Sequence, residues 1–356
     1  MNRTQNIVFL TAIFAVLSLV ACRKPNNSRT TNDPYVPVNP NGQPPVNYPG
    51  SGAASATLKS LFNDLRSTPQ TLTTTAGVSS TLYGTKGTRI TFYPNSFKDA
   101  SGNIITSGTI VIKLTEMLTP GAMIAENATT QTTTGDILRS GGQVKIEASK
   151  DGQAVYANKY SLSFKQPAAS YQPMDLYFGD RNNNDSAVLW RPLDTASTGG
   201  TGTTATGTTT DSTTGGGGGT GGFSTPFYVF DSCTDFIYVN CDKLNSIPGP
   251  RTNIHFVMPD TTFNANNSTI YLIFNDINSV ATVRRESYET STKSFNLKYY
   301  TLPIGYTMTV ITLCKKADGK YYFSEQNGLT ITDAMSVNVT MTERTLDFIK
   351  TRLGEL

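Results

Sequence analysis

The chain alternates between stretches with regular hydrophobic spacing and stretches without it. Leu58, Leu61, Phe62 and Leu65 recur at the spacing that places side chains on one face of a helix. We expect this short helix to pack on the core of the domain that it opens. Runs of alternating apolar and polar residues follow, which is the period of half-buried strands. The first series of runs covers residues 88–93, 109–115, 143–148 and 160–165.

A second series of strand patterns occupies the C-terminal part of the chain. Leu346, Ile349 and Leu353 then form the stripe of a final helix, with Thr340 and Glu343 at the spacing of a capping box. Because turn residues separate the strands and no long helical pattern lies between them, we predict an all-β protein with antiparallel, sandwich-like domains. The predicted strands of this second series are residues 227–230, 236–239, 253–258, 269–275, 294–299, 306–314, 321–324 and 336–341.

Two stretches of low complexity divide the pattern. Residues 22–56 are rich in Pro and Asn and predict a disordered tether, whereas residues 196–222 are mostly Thr and Gly and predict a linker. We therefore expect a first β-sandwich domain at residues 57–195. A second β-sandwich domain with the C-terminal helix is expected at residues 223–356.

The N-terminus has the layout of a secretory signal peptide over residues 1–21. Arg3 precedes an apolar run that is too short to span a bilayer, and the run ends in Leu19-Val20-Ala21. A cysteine directly after Leu-Val-Ala resembles the lipobox of bacterial lipoproteins, which implies cleavage before Cys22 and acylation of its thiol, for example with palmitate. We expect a lipid anchor in the outer membrane of the cell envelope.

Composition narrows the classes of partner. Lys and Arg total 29 against 26 Asp and Glu, so the chain lacks the basic excess of nucleic-acid-binding proteins. Arg23-Lys24-Pro25, directly after Cys22, contains no acidic residue. Acidic residues at this place would resemble a surface-export signal, so their absence favours the periplasmic face of the membrane; display on the cell surface is the alternative. The predicted partners are the membrane, through Cys22, and a protein or glycan ligand; the oligomeric state is left open.

Catalytic and metal-binding patterns are scarce. His255 is the single histidine and lies in an alternating run, so we interpret it as a strand residue and predict no metal site and no cofactor. Residues 180–191 resemble a calcium loop only superficially, since Asp185 stands where such loops need Gly. No nucleotide-binding glycine motif occurs. Four acids stay unassigned: Glu116, Glu126, Glu147 and Asp242.

The remaining cysteines leave several pairings open. Cys233 and Cys241 could close a short disulfide loop in an oxidising compartment, Cys241 could pair with Cys314, or all three could be buried thiols.

Several segments resemble a recurring pattern in uncharacterised lipoproteins of Bacteroidota. They are Gly-Thr-Arg-Ile-Thr-Phe-Tyr-Pro-Asn-Ser-Phe at 87–97, Gly-Gly-Gln-Val-Lys-Ile at 141–146 and Tyr-Val-Asn-Cys-Asp at 238–242. The first domain is also distantly similar to the β-sandwich of ankyrins and netrin receptors, some of which cleave themselves at His-Phe-Ser. Here His255 precedes Phe256 and Val257, so the nucleophilic hydroxyl is missing and self-cleavage is not expected.

Four Asp-Ser/Thr-small tripeptides resemble the O-glycosylation signal of the same phylum. The hydroxyl residues concerned are Ser186, Thr195, Ser212 and Thr261.

The sequence thus favours a membrane-anchored, non-enzymatic module for binding, adhesion or envelope assembly. Paired tyrosines at 299–300 and 321–322 must each present one ring outward if they lie on strands, and such rings serve as binding platforms. The alternatives are a hydrolase directed at glycan or peptide, and a structural accessory subunit of a surface complex. An enzyme should show a deep cleft with converging acids, whereas a binding module should show a shallow aromatic patch or a sheet edge.

Overall fold

The computed structural model describes residues 55–132, 135–165, 174–180, 187–192, 227–245, 249–297 and 301–356. These residues form strands and three α-helices, and the expectation of an all-β protein is confirmed. The helices are α1 (Ala56–Leu65), α2 (Pro120–Ala125) and α3 (Leu346–Gly354). The strands of the first half are β1 (Gln70–Thr75), β2 (Ser80–Tyr83), β3 (Arg89–Phe92), β4 (Phe97–Lys98), β5 (Thr109–Met117), β6 (Ala128–Thr132), β7 (Leu138–Lys150), β8 (Gln153–Ala157), β9 (Tyr160–Lys165), β10 (Asp175–Asp180) and β11 (Val188–Pro192). Those of the second half are β12 (Phe227–Cys233), β13 (Ile237–Leu244), β14 (Arg251–Thr252), β15 (His255–Val257), β16 (Ser268–Phe274), β17 (Ser279–Val283), β18 (Ser294–Asn296), β19 (Leu302–Pro303), β20 (Thr307–Lys315), β21 (Tyr321–Thr330), β22 (Ser336–Asn338) and β23 (Thr342–Arg344).

Two sheets face each other to form the first sandwich. The larger has the order β1-β5-β7-β13-β10-β11-β6, with β8 joined to β7 and β4 joined to β8. The smaller has the order β12-β9-β3-β2. Because side chains alternate between the two faces along each strand, apolar residues such as Ile90, Leu162 and Val144 lie in one shared core between the sheets.

The first sandwich includes two strands that lie beyond the predicted linker. β12 pairs with β9, and β13 inserts between β7 and β10. Val239 and Cys241 of β13 are buried in the core of this sandwich. The boundary expected at residue 223 is therefore corrected for residues 227–244. Local alternation identified these segments as strands but carries no information about which sheet a strand joins.

The rest of the chain builds a second β-structure. Its main sheet has the order β17-β16-β20-β21-β23, and two small sheets accompany it, β18-β15-β22 and β14-β19. Ile270 and Leu272 of β16 share a core with Phe256 of β15.

A third hydrophobic cluster lies between the two halves and contains residues of both. Leu61 and Phe62 of α1 lie in it with Ile311 and Leu313 of β20, and Trp190 of β11 joins them. Helix α1 therefore does not cover the first sandwich alone, as the sequence suggested, but packs in a core that both halves share. The described residues belong to one compact unit.

The C-terminal helix is confirmed, but its N-cap is not the predicted one. Thr345 caps α3 by accepting a hydrogen bond from Phe348 N–H at 3.2 Å. The expected capping residues lie elsewhere, because Glu343 is part of strand β23. Ile349 and Leu353 are buried as the stripe predicted. Among the described residues, no helix is long and apolar enough to cross a membrane.

Side chains of β6 connect the two halves at the edge of the second sheet. Thr130 Oγ1 accepts a hydrogen bond from Val280 N–H at 2.9 Å, and Gln131 Oε1 accepts one from Thr282 N–H at 2.8 Å. Both donors lie on the edge strand β17. This contact satisfies backbone groups that an edge strand would otherwise expose to other chains.

Candidate binding surface

The four-stranded sheet of the first sandwich has one buried face and one face turned to solvent. Adjacent strands pair Tyr83 with Arg89, Arg89 with Ser163 and Ser163 with Val229. These side chains alternate with core residues, so they share the outer face. We call this surface the Tyr83 face; it consists of Thr81, Tyr83, Arg89, Thr91, Ser163, Val229 and Asp231, together with Ser161, which is on the same side of the sheet but is buried.

The Tyr83 face is polar and built around one aromatic ring. Tyr83 is 62% exposed, and the guanidinium carbon of Arg89 lies 5.9 Å from the centre of its ring. In the neighbouring row, Ser161 Oγ donates to Asp231 Oδ1 at 3.0 Å. The face therefore offers hydroxyl groups, one ring and charges of both signs, with an arginine near enough for a cation–π contact.

A buried carboxylate fixes the hairpin that carries Tyr83. Glu116 of β5 accepts hydrogen bonds from the backbone N–H groups of Lys86 at 2.8 Å and Thr88 at 3.0 Å, and from Gln70 Nε2 at 2.8 Å. Burial raises the pKa of Glu116, but these hydrogen bonds lower it by more, so the pKa lies below its usual value. A Cβ at Gly84 would lie 2.5 Å from Oε1 of Glu116, which explains the glycine beside Tyr83.

The other three unassigned acids also have structural contacts. Glu126 accepts hydrogen bonds from the backbone N–H and the hydroxyl of Ser67. Glu147 pairs with Lys145 at 3.0 Å on the surface. Among the described residues, no cluster of three or more acids, histidines or cysteines is placed to hold a metal ion.

Asp242 lies in a buried polar cluster where two of the quoted sequence motifs meet. β13 pairs with β7 so that Asn240 faces Gln143 and Asp242 faces Ser140. Asn240 Nδ2 donates to Asp242 Oδ2 at 2.5 Å, whereas Oδ1 has no hydrogen-bond partner among the described residues. Burial raises the pKa of Asp242 well above its usual value, and the hydrogen bonds offset only part of this.

We predict that Asp242→Asn stabilises the protein at neutral pH. Because the pKa of Asp242 is raised in the folded state, its protonated carboxyl contributes its full stabilisation at pH values below the unfolded-state pKa. This stabilisation is lost as the pH rises through the folded-state pKa. The amide cannot ionise, so the variant should exceed the parent by about 2 kcal/mol at neutral pH, the scale of an unsatisfied buried group. Urea unfolding of both proteins at several pH values, from acidic to alkaline, measures the difference in their free energies of unfolding. If this difference does not shrink on acidification, the prediction is wrong.

Of the cysteine arrangements that the sequence left open, the structure has the one with three buried thiols and no disulfide among the described residues. Cys233, Cys241 and Cys314 are free and buried. Cys233 lies on β12 of the smaller sheet and Cys241 on β13 of the larger one, so the two strands face each other across the core instead of pairing. Burial raises the pKa of Cys314 to about 11, and it also raises the pKa values of the other two thiols, which keeps them protonated and unreactive.

The other predicted sites are placed as follows. Thr261 is exposed, so the Thr261 hydroxyl is accessible for modification. The loop around it is held by Asp260 Oδ1, which accepts hydrogen bonds from the backbone N–H and the hydroxyl of Thr262. His255 is an exposed residue of strand β15. Cys22, Ser186, Thr195 and Ser212 lie outside the described residues.

The tyrosines that were expected to face outward are those at 299–300 and 321–322, not Tyr83. Tyr321 and Tyr322 are only half-buried surface residues: the Tyr321 hydroxyl donates to Asp64 and the Tyr322 ring packs edge-on against Phe263. Residues 299–300 lie outside the described ranges. The alternation of residues 80–83 was the signal that could have identified Tyr83.

A small pocket lies at the junction of the two halves. It encloses about 50 Å³. Ligand sites for small molecules usually measure about 300–1,000 Å³, so this pocket is too small for one. Its lining includes Phe62, Asn127, Gln131, Thr282 and Arg284.

Comparison with known proteins gives no family. No family model matches the chain, and no curated protein matches it. Among solved structures, a γ-CGTase from alkalophilic Bacillus clarkii is similar at 9% identity and a TM-score of 0.18. The match covers 74% of this chain and 41% of that chain, so it spans less than half of the enzyme. A likeness this weak carries no argument about function.

Proposed function

We propose that the chain is a membrane-anchored, non-enzymatic binding module that takes part in adhesion or envelope assembly and contacts its partner through the Tyr83 face. The observation that carries the proposal is the exposure of Tyr83 on an otherwise hydroxyl-rich sheet face. A tyrosine ring supplies apolar contact area and a polar tip at little cost in conformational entropy, which suits recognition of sugars and proteins.

The positions of the acids support a binding role over hydrolysis. A glycosidase uses two carboxyl groups that flank one bond, about 5–10 Å apart. Glu116 is engaged with a hairpin backbone and Asp242 is enclosed with Asn240. Neither carboxyl group is therefore presented to an external substrate.

Tyr83→Ala should weaken ligand binding by about tenfold, because loss of a stacked ring costs roughly 0.5–1.5 kcal/mol beyond the buried area. The probes are an array of glycans and a set of purified envelope proteins, and the affinity of each hit is measured by calorimetry. Tyr156→Ala is the matched control, since Tyr156 is 47% exposed but lies on β8 of the other sheet. Equal losses from both substitutions, or from neither, would count against the Tyr83 face.

The proposed anchor is lipid on Cys22. Cys22→Ser should abolish incorporation of labelled fatty acid and move the protein from the membrane to the soluble fraction. The reason is that several acyl chains attach a protein to the membrane almost permanently, whereas a chain without them has no proposed anchor. Cys314→Ser, which alters a buried thiol of the folded part, serves as the control and should keep the label. A labelled Cys22→Ser protein would refute the anchor. Protease treatment of intact cells then separates the proposed periplasmic location from surface display.

A further inference from the structure

The hairpin of β20 and β21 contains a bulge at Asn327 and Gly328. Met308 pairs with Leu329 and Val310 pairs with Gln326, so two residues of β21 lie opposite Thr309 alone. A bulge interrupts the regular ladder at this point and bends the strand. Gly328 has φ +68°, a conformation that favours glycine.

This bulge lies in an exposed part of the sheet. β23 pairs with β21 only from Tyr321 to Phe323, so it does not reach the bulge. Both Asn327 and Gly328 are exposed. Water therefore has access to the peptide bond between them.

Both polar atoms of the Asn327 side-chain amide are hydrogen-bonded, because its oxygen accepts one hydrogen bond and its nitrogen donates another. Thr309 Oγ1 donates to Oδ1 at 3.0 Å, and Nδ2 donates to Glu325 Oε1 at 2.9 Å. Because a hydroxyl lies on one side and a carboxylate on the other, the orientation of the amide is set by its partners.

We propose that Asn327 is a site of spontaneous, intramolecular deamidation in the folded protein. The backbone nitrogen of Gly328 loses its proton to water and attacks Cγ of Asn327, forming a five-membered imide. Nδ2 takes up a proton from water, its bond to Cγ breaks, and ammonia leaves. Water then opens the imide at either carbonyl and gives aspartate or isoaspartate, so one water is consumed for each ammonia released.

Two features of the site favour this reaction. Negative charge develops on Oδ1 when the nitrogen attacks, and the Thr309 hydroxyl already donates to that oxygen. Gly328 has no side chain to hinder the approach of its own nitrogen. Asn338 provides a contrast, because it is also exposed but precedes the buried, β-branched Val339.

The product carboxylate would change the anchoring of helix α3. Glu325, which accepts from Asn327, is also held by Arg352 of α3 through two hydrogen bonds of 2.7 and 2.6 Å. Deamidation replaces a donor by a second acid beside Glu325. Like charges at this distance repel, so the contact between β21 and α3 is weakened.

The test is to incubate the purified, folded chain at mildly alkaline pH and to follow both asparagines by mass spectrometry. Trypsin releases residues 321–344 as one peptide, which contains Asn327 and Asn338. We expect Asn327 to exchange NH₂ for OH at least about tenfold faster than Asn338, a barrier difference of about 1.4 kcal/mol. Equal rates, or no conversion of Asn327, would overturn the proposal.

Two variants test the chemistry. Asn327→Gln should abolish conversion at this position, because its longer side chain cannot form the five-membered imide. Thr309→Val keeps the shape of the side chain but removes the hydroxyl, and conversion should slow. An unchanged rate in Thr309→Val would show that this hydroxyl has no part in the reaction.

Discussion

Replacing Gly121 by alanine should lower the free energy of unfolding by about 3 kcal/mol, at the upper end of the cost of overpacking. Gly121 lies in α2 where this helix meets α3, and a Cβ there would lie 1.7 Å from the carbonyl oxygen of Leu353. The obstacle is backbone, so no side chain can rotate away. The helices would have to separate, which opens the core that both halves share.

Gly354→Ala is the control for this prediction. Gly354 belongs to α3, and its added Cβ would meet no atom within 4 Å. Its effect should stay within about 0.5 kcal/mol in urea unfolding, as for ordinary surface substitutions. Similar destabilisation by the two variants would mean that α2 and α3 do not cross closely at Gly121.

Replacing Glu116 by alanine should cost about 3 kcal/mol of stability. The substitution leaves the backbone N–H groups of Lys86 and Thr88 without their acceptor, and a buried unsatisfied group costs about 1–3 kcal/mol. The same hairpin carries Tyr83, so the variant should also weaken ligand binding. Denaturant unfolding gives the first quantity and calorimetry gives the second.

The stabilisation by Glu116 should depend on pH in the direction opposite to that of Asp242. Its folded-state pKa is lowered, so its contribution is present above the unfolded-state pKa and is lost as pH falls through the folded-state pKa. The gap between the parent and Glu116→Ala should therefore narrow on acidification. Glu147→Gln removes a surface ion pair and should change stability by less than about 1 kcal/mol. A gap that widens in acid would contradict the assigned role.

Local pattern identified the fold class and several elements but not all of the elements or their assembly; β1, β2 and helix α2, for example, were not predicted. The spacing of Leu58, Leu61, Phe62 and Leu65 identified α1, because that spacing depends only on helix geometry. The position of β13 between β7 and β10 could not be predicted, because the pairing joins residues about 60 positions apart for β10 and about 100 for β7, and each sandwich needs the same alternation. For the same reason, the stretch rich in Thr and Gly at residues 196–222 did not mark the edge of a sandwich.

The candidate surface shows a similar limit. Sequence alone could suggest that aromatic rings face outward on strands, but exposure depends on what packs above each strand. Tyr322 has Phe263 against its ring, whereas Tyr83 has the nearby Arg89 and a large exposed area. The acids were likewise indistinguishable until their surroundings were known, since Glu116 and Asp242 differ in how deeply they are buried and in the donors around them.

The most direct test of the proposed binding role is photo-crosslinking in intact cells. A photoreactive phenylalanine derivative replaces Tyr83 in one strain and Tyr156 in another, in a chain that keeps Cys22. The proposed binding role predicts a discrete crosslinked product from position 83 and none from position 156, because only the first lies on the Tyr83 face. Absence of a product at position 83, or equal products at both positions, would contradict it.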